Sequence, residues 1–388
     1  MEERPEKLRG WFCLAKIEDV CEILDYRRVP VTASNRIPGP YPYYGANGVQ
    51  DYVSDFIFDD ELVLLAEDGG NFGSKERPIA CRVSGKCWVN NHAHVLKPKP
   101  GLNVDYLCYS LMFYDVSGIV NGSTRQKLTQ ADMRQMEIPL RKMSEQKHIV
   151  SVLNAVEQLI TRHKQQIANL DELVKARFVE MFGDPEGNPR NWEKVRLEDI
   201  CLSIVRGPFG SMLKKDFFVP RSNSTYKIYE QKHAIQKSAS IGSYYITEEK
   251  YNELKRFECF PGDIIMSCSG TMGEFYQLPI DCERGVINQA LCKFTLNQKK
   301  VLPIIFLVYM REAIERLETK DSAIQNIAAV SYVKALPFIL PPMGIQHEYE
   351  AYFERAERSK SLIQMSIMKL NTLKALMMQK YFGNGREE

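Results

Sequence analysis

An internal repeat is the feature that most limits how this chain can fold. Cys201, at the end of the segment LEDIC, lies 180 residues after Cys21, at the end of IEDVC. From Gly73 and Gly273 onward the matching positions are 200 residues apart. They include Leu107 and Leu307, Tyr109 and Tyr309, Leu140 and Leu340, Met143 and Met343, Gln146 and Gln346, and Phe182-Gly183 and Phe382-Gly383. Matches in constant order at a near-constant shift indicate two copies of one domain.

The two copies differ in length near their beginnings. Cys201 and Gly273 are 72 positions apart, whereas Cys21 and Gly73 are 52 apart, so the second copy carries 20 additional residues there. A shared scaffold with two different recognition surfaces would show this pattern. The 388 residues also suit two packed domains. We therefore predict an α+β fold, a tandem duplication of a mixed α/β domain in which a long helix follows each copy.

Each copy ends in a segment with the pattern of a coiled coil. No proline or glycine interrupts residues 144–182, and a helix of that length extends ~58 Å. Apolar residues recur in these segments in alternating steps of three and four, with few gaps. In the first copy they are Ile149, Leu153, Val156, Ile160, Ile167, Leu170, Val174 and Phe178. In the second copy they are Tyr349, Phe353, Ala356, Ile363, Ile367, Leu370 and Met378.

A long helix with an apolar stripe needs a partner, and the nearest candidate is its own duplicate. We expect the helices to pair as an antiparallel coiled coil with pseudo-two-fold symmetry; the alternative is that each packs only on its own domain. His163 interrupts the first stripe, and Lys360 and Lys374 interrupt the second. A polar residue on the seam can fix the register, but we favour a position for His163 at the edge of the stripe.

The repeat and the helical segments together predict the domain boundaries. Each helix ends at Phe-Gly, and glycine suits a left-handed helix cap. Asp184-Pro185 and Pro189 mark a linker after the first helix. The predicted order is a domain at 1–143, a helix at 144–183, the linker at 184–191, a second domain at 192–343, a helix at 344–383 and a tail at 384–388.

Composition argues against several classes of protein. The 51 Lys+Arg and 49 Asp+Glu give a formal net charge of +2, which leaves DNA binding open because affinity depends on local basic patches. The ten cysteines include no CxxC pair, which argues against a zinc ribbon. The charged start MEERPEKLRG is unlike a signal peptide, and the longest apolar run, Val301–Met310, is too short to span a bilayer. We expect a cytoplasmic protein that needs no cofactor.

Polar loops of the first copy are candidates for contact with DNA. Aromatic rings can stack, carboxamides can read base edges, and Arg and Lys can contact phosphates. The residues that we single out are Tyr41, Tyr43, Tyr44 and Asn47; Asn90, Asn91 and His92; and Ser123, Arg125, Gln126 and Lys127. Ordinary structural loops are the alternative for each segment, and for EDGGNFG we favour a turn between strands. His92 and His94 would share one face of a strand, but no motif supplies further ligands, so we predict no metal.

The second copy offers a corresponding set. The segment RGPFGSMLKK combines glycines, which let a backbone approach DNA closely, with basic side chains. The residues that we single out are Arg206, Phe209, Ser211, Lys214 and Lys215; Tyr229 and Gln231; Ser269 and Thr271; Asn288 and Gln289; and Gln325. A charged, solvated face is the alternative for each segment taken separately.

The sequence contains no recognisable catalytic motif. An adenine methyltransferase needs a loop such as NPPY or DPPY, and an ATP-driven motor needs GxxxxGK[ST]; neither occurs. HExxH and a nucleophile elbow are also absent. Glu248-Glu249-Lys250 matches the ExK fragment of a nuclease motif, but three residues match by chance in a charged chain. We therefore predict a chain without a catalytic site of its own.

Over nearly its whole length the chain resembles the specificity subunits of Type I restriction-modification systems. The segments that carry the resemblance are RGPFGSMLKKD, YPYYGANGVQDYV, LLAEDGGNFG and the pair IPLRKMSEQ and ILPPMGIQ, the last of which has Ile345 in place of the usual Glu. The resemblance implies two α+β target-recognition domains, each of which binds one half of a bipartite site in double-stranded DNA.

It further implies paired helices that set the spacing between the half-sites and dock two methylation subunits. Those subunits bind S-adenosylmethionine and methylate adenine, and restriction subunits complete the nuclease. Two alternatives remain open. One is a stand-alone DNA-modifying enzyme, and the other is a coiled-coil adaptor that binds only protein.

Overall fold

The computed structural model describes residues 13–122, 126–183, 187–269, 271–318 and 330–383. The chain divides into two compact units. Unit 1 comprises Met1–Gln166 and Ile363–Glu388, and unit 2 comprises Ile167–Leu362. Each unit therefore contains one copy of the repeat, part of the helix that follows that copy and part of the helix that follows the other.

Unit 1 contains a six-stranded sheet and a two-stranded ribbon. The sheet has the order β2-β7-β5-β6-β3-β4 and is antiparallel except for the pair β3–β6, and the ribbon joins β1 to β8. The strands are β1 (Cys13–Lys16), β2 (Cys21–Ile23), β3 (Pro38–Gly45), β4 (Gly48–Val53), β5 (Phe58–Ala66), β6 (Ala80–Val89), β7 (Ala93–Pro98) and β8 (Glu137–Leu140). The helices are α1 (Ile17–Val20), α2 (Val104–Met112), α3 (Gln130–Gln135) and part of α4 (Met143–Phe182).

Unit 2 contains two four-stranded sheets and a ribbon. The sheets have the orders β10-β17-β14-β15 and β12-β11-β16-β13, and the ribbon joins β9 to β18. The strands are β9 (Glu193–Arg196), β10 (Cys201–Arg206), β11 (Thr225–Tyr229), β12 (Tyr245–Thr247), β13 (Glu258–Cys259), β14 (Ile264–Ser267), β15 (Phe275–Gln277), β16 (Gly285–Ile287), β17 (Leu291–Leu296) and β18 (Pro337–Leu340). The helices are α5 (Leu197–Ile200), α6 (Gln231–Ile235), α7 (Glu248–Glu253), α8 (Pro303–Glu318), α9 (Val330–Ala335) and part of α10 (Met343–Phe382).

The two units share a scaffold of four strands. The order β2-β7-β5-β6 of unit 1 matches the order β10-β17-β14-β15 of unit 2, and in each unit the first strand of the ribbon and a short helix precede the scaffold along the chain. Unit 1 extends its sheet with the hairpin β3–β4, whereas unit 2 builds a second sheet. The prediction of a duplicated mixed fold is confirmed, and the difference lies in the front part of each copy.

The central scaffold strands are apolar on both faces because each separates two cores. In β5, Val63 and Leu65 pack in one cluster with Tyr106 of α2, while Leu62 and Leu64 pack in another. Successive side chains of a strand point to opposite faces, so a continuous apolar run fits a strand that is covered on both sides. In β14, Ile264 and Met266 likewise join one cluster and Ile265 joins another.

A buried glutamine joins each long helix to its domain in the same way. In unit 1, Gln146 Oε1 accepts from the Asn103 backbone N–H at 2.8 Å, and its Nε2 donates to the carbonyls of Gly101 at 2.9 Å and Arg141 at 2.8 Å. Its side chain is fully buried. The bonds link the first turn of α4 to the segment just before α2 and to the segment between β8 and α4.

The equivalent residue of unit 2 repeats this joint. Gln346 Oε1 accepts from the Leu302 N–H at 2.9 Å, and its Nε2 donates to the carbonyls of Lys300 at 3.0 Å and Pro341 at 2.7 Å. It is also fully buried. The glutamine that follows the Glu position of the sequence repeat is therefore a structural residue, and the Glu is dispensable, since Ile345 replaces it in unit 2.

Within unit 1, the first part of α4 packs against the last part of α10. His163 Nε2 lies 3.1 Å from Ser366 Oγ, and Lys374 forms an ion pair with Glu157. The residue numbers rise along one helix as they fall along the other, so the segments run antiparallel. His163 is half-buried, and its ring contacts the facing helix through Ser366.

Within unit 2, the remaining segments of the helices also run antiparallel. Lys360 Nζ lies 2.7 Å from Asp171 Oδ1, and Arg177 Nη2 lies 2.8 Å from Glu348 Oε1. Burial by itself would lower the pKa of Lys360, but its hydrogen bonds to Asp171 and Glu357 outweigh that effect and raise the pKa. The lysines that interrupt the apolar stripe therefore meet acidic partners on the facing helix.

The two Phe-Gly helix ends differ in backbone conformation. Gly183 has φ 73°, as a left-handed cap requires, and a Cβ there would lie 2.3 Å from Pro189 Cγ. The same prediction for Gly383 is wrong, because its φ is not in the left-handed region. Both glycine N–H groups bond to the carbonyl four residues earlier, so this bond alone does not demand a positive φ.

Replacing either buried glutamine should destabilise its own unit. Gln146→Ala and Gln346→Ala each leave two carbonyls and one N–H without their partner, and we expect a loss of about 3 kcal/mol or more in the free energy of unfolding. Urea denaturation followed by circular dichroism measures it. Gln158→Ala, an exposed position on α4, is the matched control and should change stability by less than about 0.5 kcal/mol. Equal stabilities of all three variants would contradict the proposal that the buried glutamines stabilise the attachment of each long helix to its domain.

Candidate nucleic-acid interface

Four segments of unit 1 that are distant in sequence meet at the predicted DNA residues. The turn after β3 contacts the chain after β5, since Asn47 Nδ2 donates to the Gly69 carbonyl at 3.0 Å. The turn between β6 and β7 contacts the same stretch, because the Glu67 N–H donates to the His92 carbonyl at 2.9 Å. Residues 126–128 complete the group, which we call the first loop cluster, and the Leu128 N–H donates to the Glu67 carbonyl at 2.7 Å.

A cavity of about 630 Å³ opens between these loops. Most of the residues that line it are polar, and they include five of those that we singled out. These are Tyr43, Asn47, Asn90, Asn91 and His92. Asn47 and Asn91 are exposed, and the half-buried His92 holds its Nδ1 2.6 Å from Asp68 Oδ1. The loop cluster therefore presents carboxamides and an imidazole–carboxylate pair around one opening.

Other predicted residues of unit 1 are buried or half-buried beneath the cavity. Tyr43 is 1 % exposed, and its hydroxyl accepts from the Val31 N–H and donates to the Val31 carbonyl. Asn90 is 3 % exposed, and its Oδ1 accepts from the His92 N–H at 2.8 Å. Tyr44 is half-buried, and burial raises its pKa. Tyr43 and Asn90 therefore form the buried floor of the cavity and support the exposed groups around it.

The other residues of unit 1 that we predicted to contact DNA have different environments. Tyr41 packs edge-on against Phe56, with the ring centroids 5.1 Å apart. Gln126 and Lys127 are exposed, and Lys127 Nζ lies 3.0 Å from Glu67 Oε1. Ser123 and Arg125 lie outside the described residues.

A buried ionic network underlies the first loop cluster. His94, fully buried, holds Nδ1 2.7 Å from Asp25 Oδ2 and Nε2 3.0 Å from the Leu128 carbonyl. Arg28 pairs with both Asp25 and Glu67. The Asp25, Glu67 and His94 ligand atoms lie within 4.8 Å of one another, as a metal site would require, but protein cations and donors already engage them. The network therefore ties three loops together.

Hydrogen bonding controls the ionisation of this network. Burial by itself would raise the pKa of Asp25, but the hydrogen bond and charge of His94 outweigh it and hold that pKa below its usual value. Gln130 Nε2 and the Val95 N–H each add a hydrogen bond to the carboxylate at 2.8 Å. Burial by itself would also raise the pKa of Glu67, but hydrogen bonds from Arg28 and Lys127 outweigh burial and lower that pKa. Both carboxylates therefore stay charged beneath the loops.

Unit 2 brings its predicted residues together in the same manner. A Cβ on Gly207 would lie 1.8 Å from the Asn288 carbonyl oxygen, and a Cβ on Gly210 would lie 2.9 Å from Gln289 Oε1. The glycines of RGPFG therefore permit close approach of this loop to the turn at Asn288-Gln289. Gln231 Oε1 accepts from Ser269 Oγ at 3.2 Å, which adds two more segments. We call this group the second loop cluster.

The second loop cluster exposes basic and aromatic groups. Phe209 is 84 % exposed, and Ser211, Lys214, Lys215, Thr271 and Gln289 are also exposed. Arg206 Nη2 donates to the Cys268 carbonyl at 3.4 Å, while its buried Nη1 has no hydrogen-bond partner in the part of the chain that the structure describes.

Tyr229 and Asn288 of unit 2 make hydrogen bonds inside the domain. Tyr229 is fully buried, and its hydroxyl donates to the Glu283 carbonyl at 2.6 Å, so its prediction as a DNA contact is wrong. It belongs to the core because it ends β11 on the side that faces an apolar cluster. Asn288 is half-buried, and its Oδ1 accepts from the Ala290 N–H at 3.0 Å, which holds the turn. Gln325 lies outside the described residues.

The cavity of unit 1 is also lined by residues that were not among the predicted DNA contacts. Gln50, Arg36 and Thr32 also line it. The hairpin signal Asn47-Gly48 could have found Gln50, because a two-residue turn brings β4 back beside the end of β3. Gly45 pairs with Gly48 in that hairpin. Arg36 follows a short turn at Ala33–Asn35, and no pattern in the sequence connects it to the loops.

The ten cysteines are all free thiols. Within the described ranges, every helix is either too short or too polar to cross a membrane.

The family model described as "Type I restriction modification DNA specificity domain" matches residues 12–172 and 189–371. These two matches cover most of the chain, which therefore belongs to that family. The resemblance inferred from the sequence is thus confirmed, and the two matches coincide with the two copies of the repeat.

Relatives and solved structures agree with this assignment. A putative type I restriction enzyme specificity subunit from Haemophilus influenzae is 27% identical over 368 residues, covering 88% of this chain and 86% of that protein. The S subunit of a type I restriction-modification system from M. genitalium matches with TM-score 0.54 at 14% identity, over 97% of this chain and 98% of that one. A chain from a structural study of complex assembly in the type I R-M system matches with TM-score 0.61 at 14% identity, over 97% and 99%. The structural matches show a common fold.

His94→Ala should destabilise unit 1 in a pH-dependent way. His94 is a hydrogen-bond partner of the buried Asp25 carboxylate, and leaving that buried charge without this partner costs about 3 kcal/mol at pH 7. The folded-state pKa of Asp25 is lowered, so its contribution is present above the unfolded pKa of about 3.9 and is lost as the pH falls through the folded value. The stability difference between wild type and variant should therefore shrink below about pH 4, as measured by urea denaturation from pH 2.5 to 7.

The control for this experiment is His347→Ala, whose side chain is 59 % exposed in unit 2. It should leave the stability of unit 1 unchanged across the same range. A His94→Ala difference that is constant from pH 2.5 to 7 would exclude the ionic role of the network.

Proposed function

We propose that this chain is the DNA-specificity subunit of a Type I restriction-modification complex. The observation that carries the proposal is the pair of loop clusters. In each unit, glycine turns bring polar, sequence-distant loops together on a shared scaffold, while the loops themselves differ. Two similar scaffolds with different exposed side chains suit the recognition of two different half-sites of one bipartite target in double-stranded DNA.

The proposal assigns residues 1–143 and 192–343 as the target-recognition domains and the two 40-residue helices as the spacer. The DNA contacts of the first domain would come from exposed members of the first loop cluster, Asn47, Asn91, Gln126 and Lys127, together with His92. Those of the second would come from Arg206, Phe209, Ser211, Lys214, Lys215, Ser269, Thr271 and Gln289. Both sets combine base-reading carboxamides or hydroxyls with phosphate-binding cations, as specific binding needs.

The chain would contribute recognition and leave the chemistry to its partners. Two methylation subunits would supply adenine methylation with S-adenosylmethionine, and restriction subunits would supply the nuclease. The exposed apolar side chains of the helices offer them a docking surface, since exposed apolar patches mark interaction sites. In unit 1 these are Leu159, Met365, Met368, Leu373 and Leu376, which are 43 %, 43 %, 61 %, 41 % and 59 % exposed. We place the complex in the cytoplasm, where its free thiols would stay reduced.

Mapping of methylated adenines tests the proposal directly. We expect the host genome to lose methylation at one bipartite motif, in both half-sites together, when this gene is deleted and its methylation-subunit genes are retained. Long-read sequencing of native DNA measures it, and re-expression of the chain is the control. An unchanged methylome in a strain whose methylation subunits are active would reject the function. Methylation by the purified chain alone would favour a stand-alone enzyme, and a chain that binds subunits but no DNA would favour an adaptor.

Shortening both helices should change the spacing of the target and leave its half-sites intact. Residues 160–166 and 364–370 face one another in the antiparallel numbering, and their joint deletion removes one heptad, or ~10.5 Å, from each helix. We expect the spacer to shorten by about three base pairs at 3.4 Å per base pair. The same methylation map measures it. Altered bases within a half-site would contradict the proposal that the helices set the spacing.

A further inference from the structure

One exposed side chain in the cavity of unit 1 is held in a fixed orientation. Gln50 lies on β4 and lines the cavity beside Asn47 and Asn91. Its residue is exposed, yet its Oε1 accepts from Asn90 Nδ2 at 3.1 Å. Asn90 itself is buried and is anchored by its backbone to the Tyr44 carbonyl at 3.0 Å. A surface glutamine normally samples many rotamers, so a rigid anchor for its amide needs an explanation.

The carboxamide of Gln50 lies close to Gly45 of β3. A Cβ on Gly45 would lie 2.1 Å from Gln50 Nε2 and 2.4 Å from its Cδ. Only glycine therefore leaves room for the carboxamide in its present place. Together, the bond from Asn90 and the absent side chain at position 45 pre-organise Gln50, and pre-organisation reduces the entropy that a ligand must otherwise overcome.

The groups that remain unused on Gln50 define the chemistry of its ligand. Asn90 occupies one lone pair of Oε1, so the second lone pair and the two Nε2 hydrogens are available for other bonds. A side-by-side acceptor and donor complement the N6 amino group and N7 of adenine in the major groove. No other base edge in that groove offers the same pair.

The charges around the opening favour a base over a phosphate. Arg36 Nη1 lies 3.3 Å from Asp51 Oδ2, and His92 lies 2.6 Å from Asp68. The Arg36 guanidinium and the His92 ring thus each already face a carboxylate, and carboxylates repel phosphate oxygens. A neutral base edge avoids that repulsion.

We propose that Gln50 determines base specificity in the first half-site by bidentate contact with one adenine, and that Gly45 and Asn90 position it for that contact. The inference rests on the proposed DNA-recognition function and goes further by naming the reading residue and its base. Gln50 acts as a contact residue, whereas Gly45 and Asn90 act only through it.

The test uses the full chain assembled with its methylation subunits. The wild-type complex selects bound duplexes from a library in which both half-sites are randomised, and sequencing gives the preference at each position. For Gln50→Ala we expect the preference for adenine at one position of one half-site to fall about ten-fold, with the other half-site unchanged. For Gln50→Glu we expect that position to shift towards cytosine, because a carboxylate accepts from cytosine N4.

Gly45→Ala separates positioning from contact. The three atoms nearest to the added methyl all belong to the end of the flexible Gln50 side chain, so the domain should fold with wild-type thermal stability while Gln50 is displaced. We expect the same loss at the same position as for Gln50→Ala. Gln236→Ala, an exposed glutamine at the end of α6 in unit 2, is the matched control and should reproduce the wild-type preferences.

The outcomes distinguish this inference from the function on which it rests. If the wild-type complex enriches no sequence, the proposed function fails. If the wild type selects a bipartite site but Gln50→Ala keeps every base preference, or weakens binding equally for all sequences, the assignment of Gln50 is overturned.

Discussion

The packing of antiparallel helix segments in each unit is the interaction on which the rest of the structure depends. Neither long helix is self-sufficient, because each presents an apolar stripe along most of its length. In unit 2 the end of α4 buries Phe178 and Phe182 to 1 % exposure, where their rings pack edge-on against Tyr349 of α10. In unit 1 the end of α10 brings Phe382 to within 5.1 Å of Tyr106, centroid to centroid. Each domain core is therefore completed by the helix that follows the other copy.

This arrangement explains why the repeat is strictest at its ends. The helix, the ribbon and the glutamine joint must all meet in each unit, so Gln146 and Gln346 make equivalent sets of bonds. An unpaired polar group in that place would cost about 1–3 kcal/mol, which leaves little freedom to vary the sequence. The front of each copy carries no such constraint, and there one unit adds a hairpin while the other adds a sheet.

Recognition in this framework depends on rigid support beneath polar loops. The buried pair His94 and Asp25 and the bonds of Asn90 hold the first loop cluster, while close glycine contacts hold the second. Near-neutral net charge is compatible with this design, because specificity comes from fixed base-reading groups and the cations lie where they are needed. The spacer helices and the partner subunits complete the proposed function.

The sequence by itself determined the duplication, the mixed α/β class, the two long helices and the loops that hold most candidate residues. These features are periodic or local, so spacing along the chain reveals them. It also indicated the family through motifs such as RGPFGSMLKKD, which the comparisons confirm.

Only the tertiary structure decided which candidates face solvent and what they touch. Tyr43, Asn90 and Tyr229 looked like surface residues in polar motifs, but strand alternation and backbone bonds place them inside. His163, Lys360 and Lys374 looked like breaks in a seam, but partners about 200 residues away make them cross-helix contacts. The sequence did not indicate Gln50 as a candidate, because its orientation depends on Gly45 and Asn90 together. Burial and pairing arise from contacts between distant segments, and the order of residues along one chain does not encode those contacts in any local pattern.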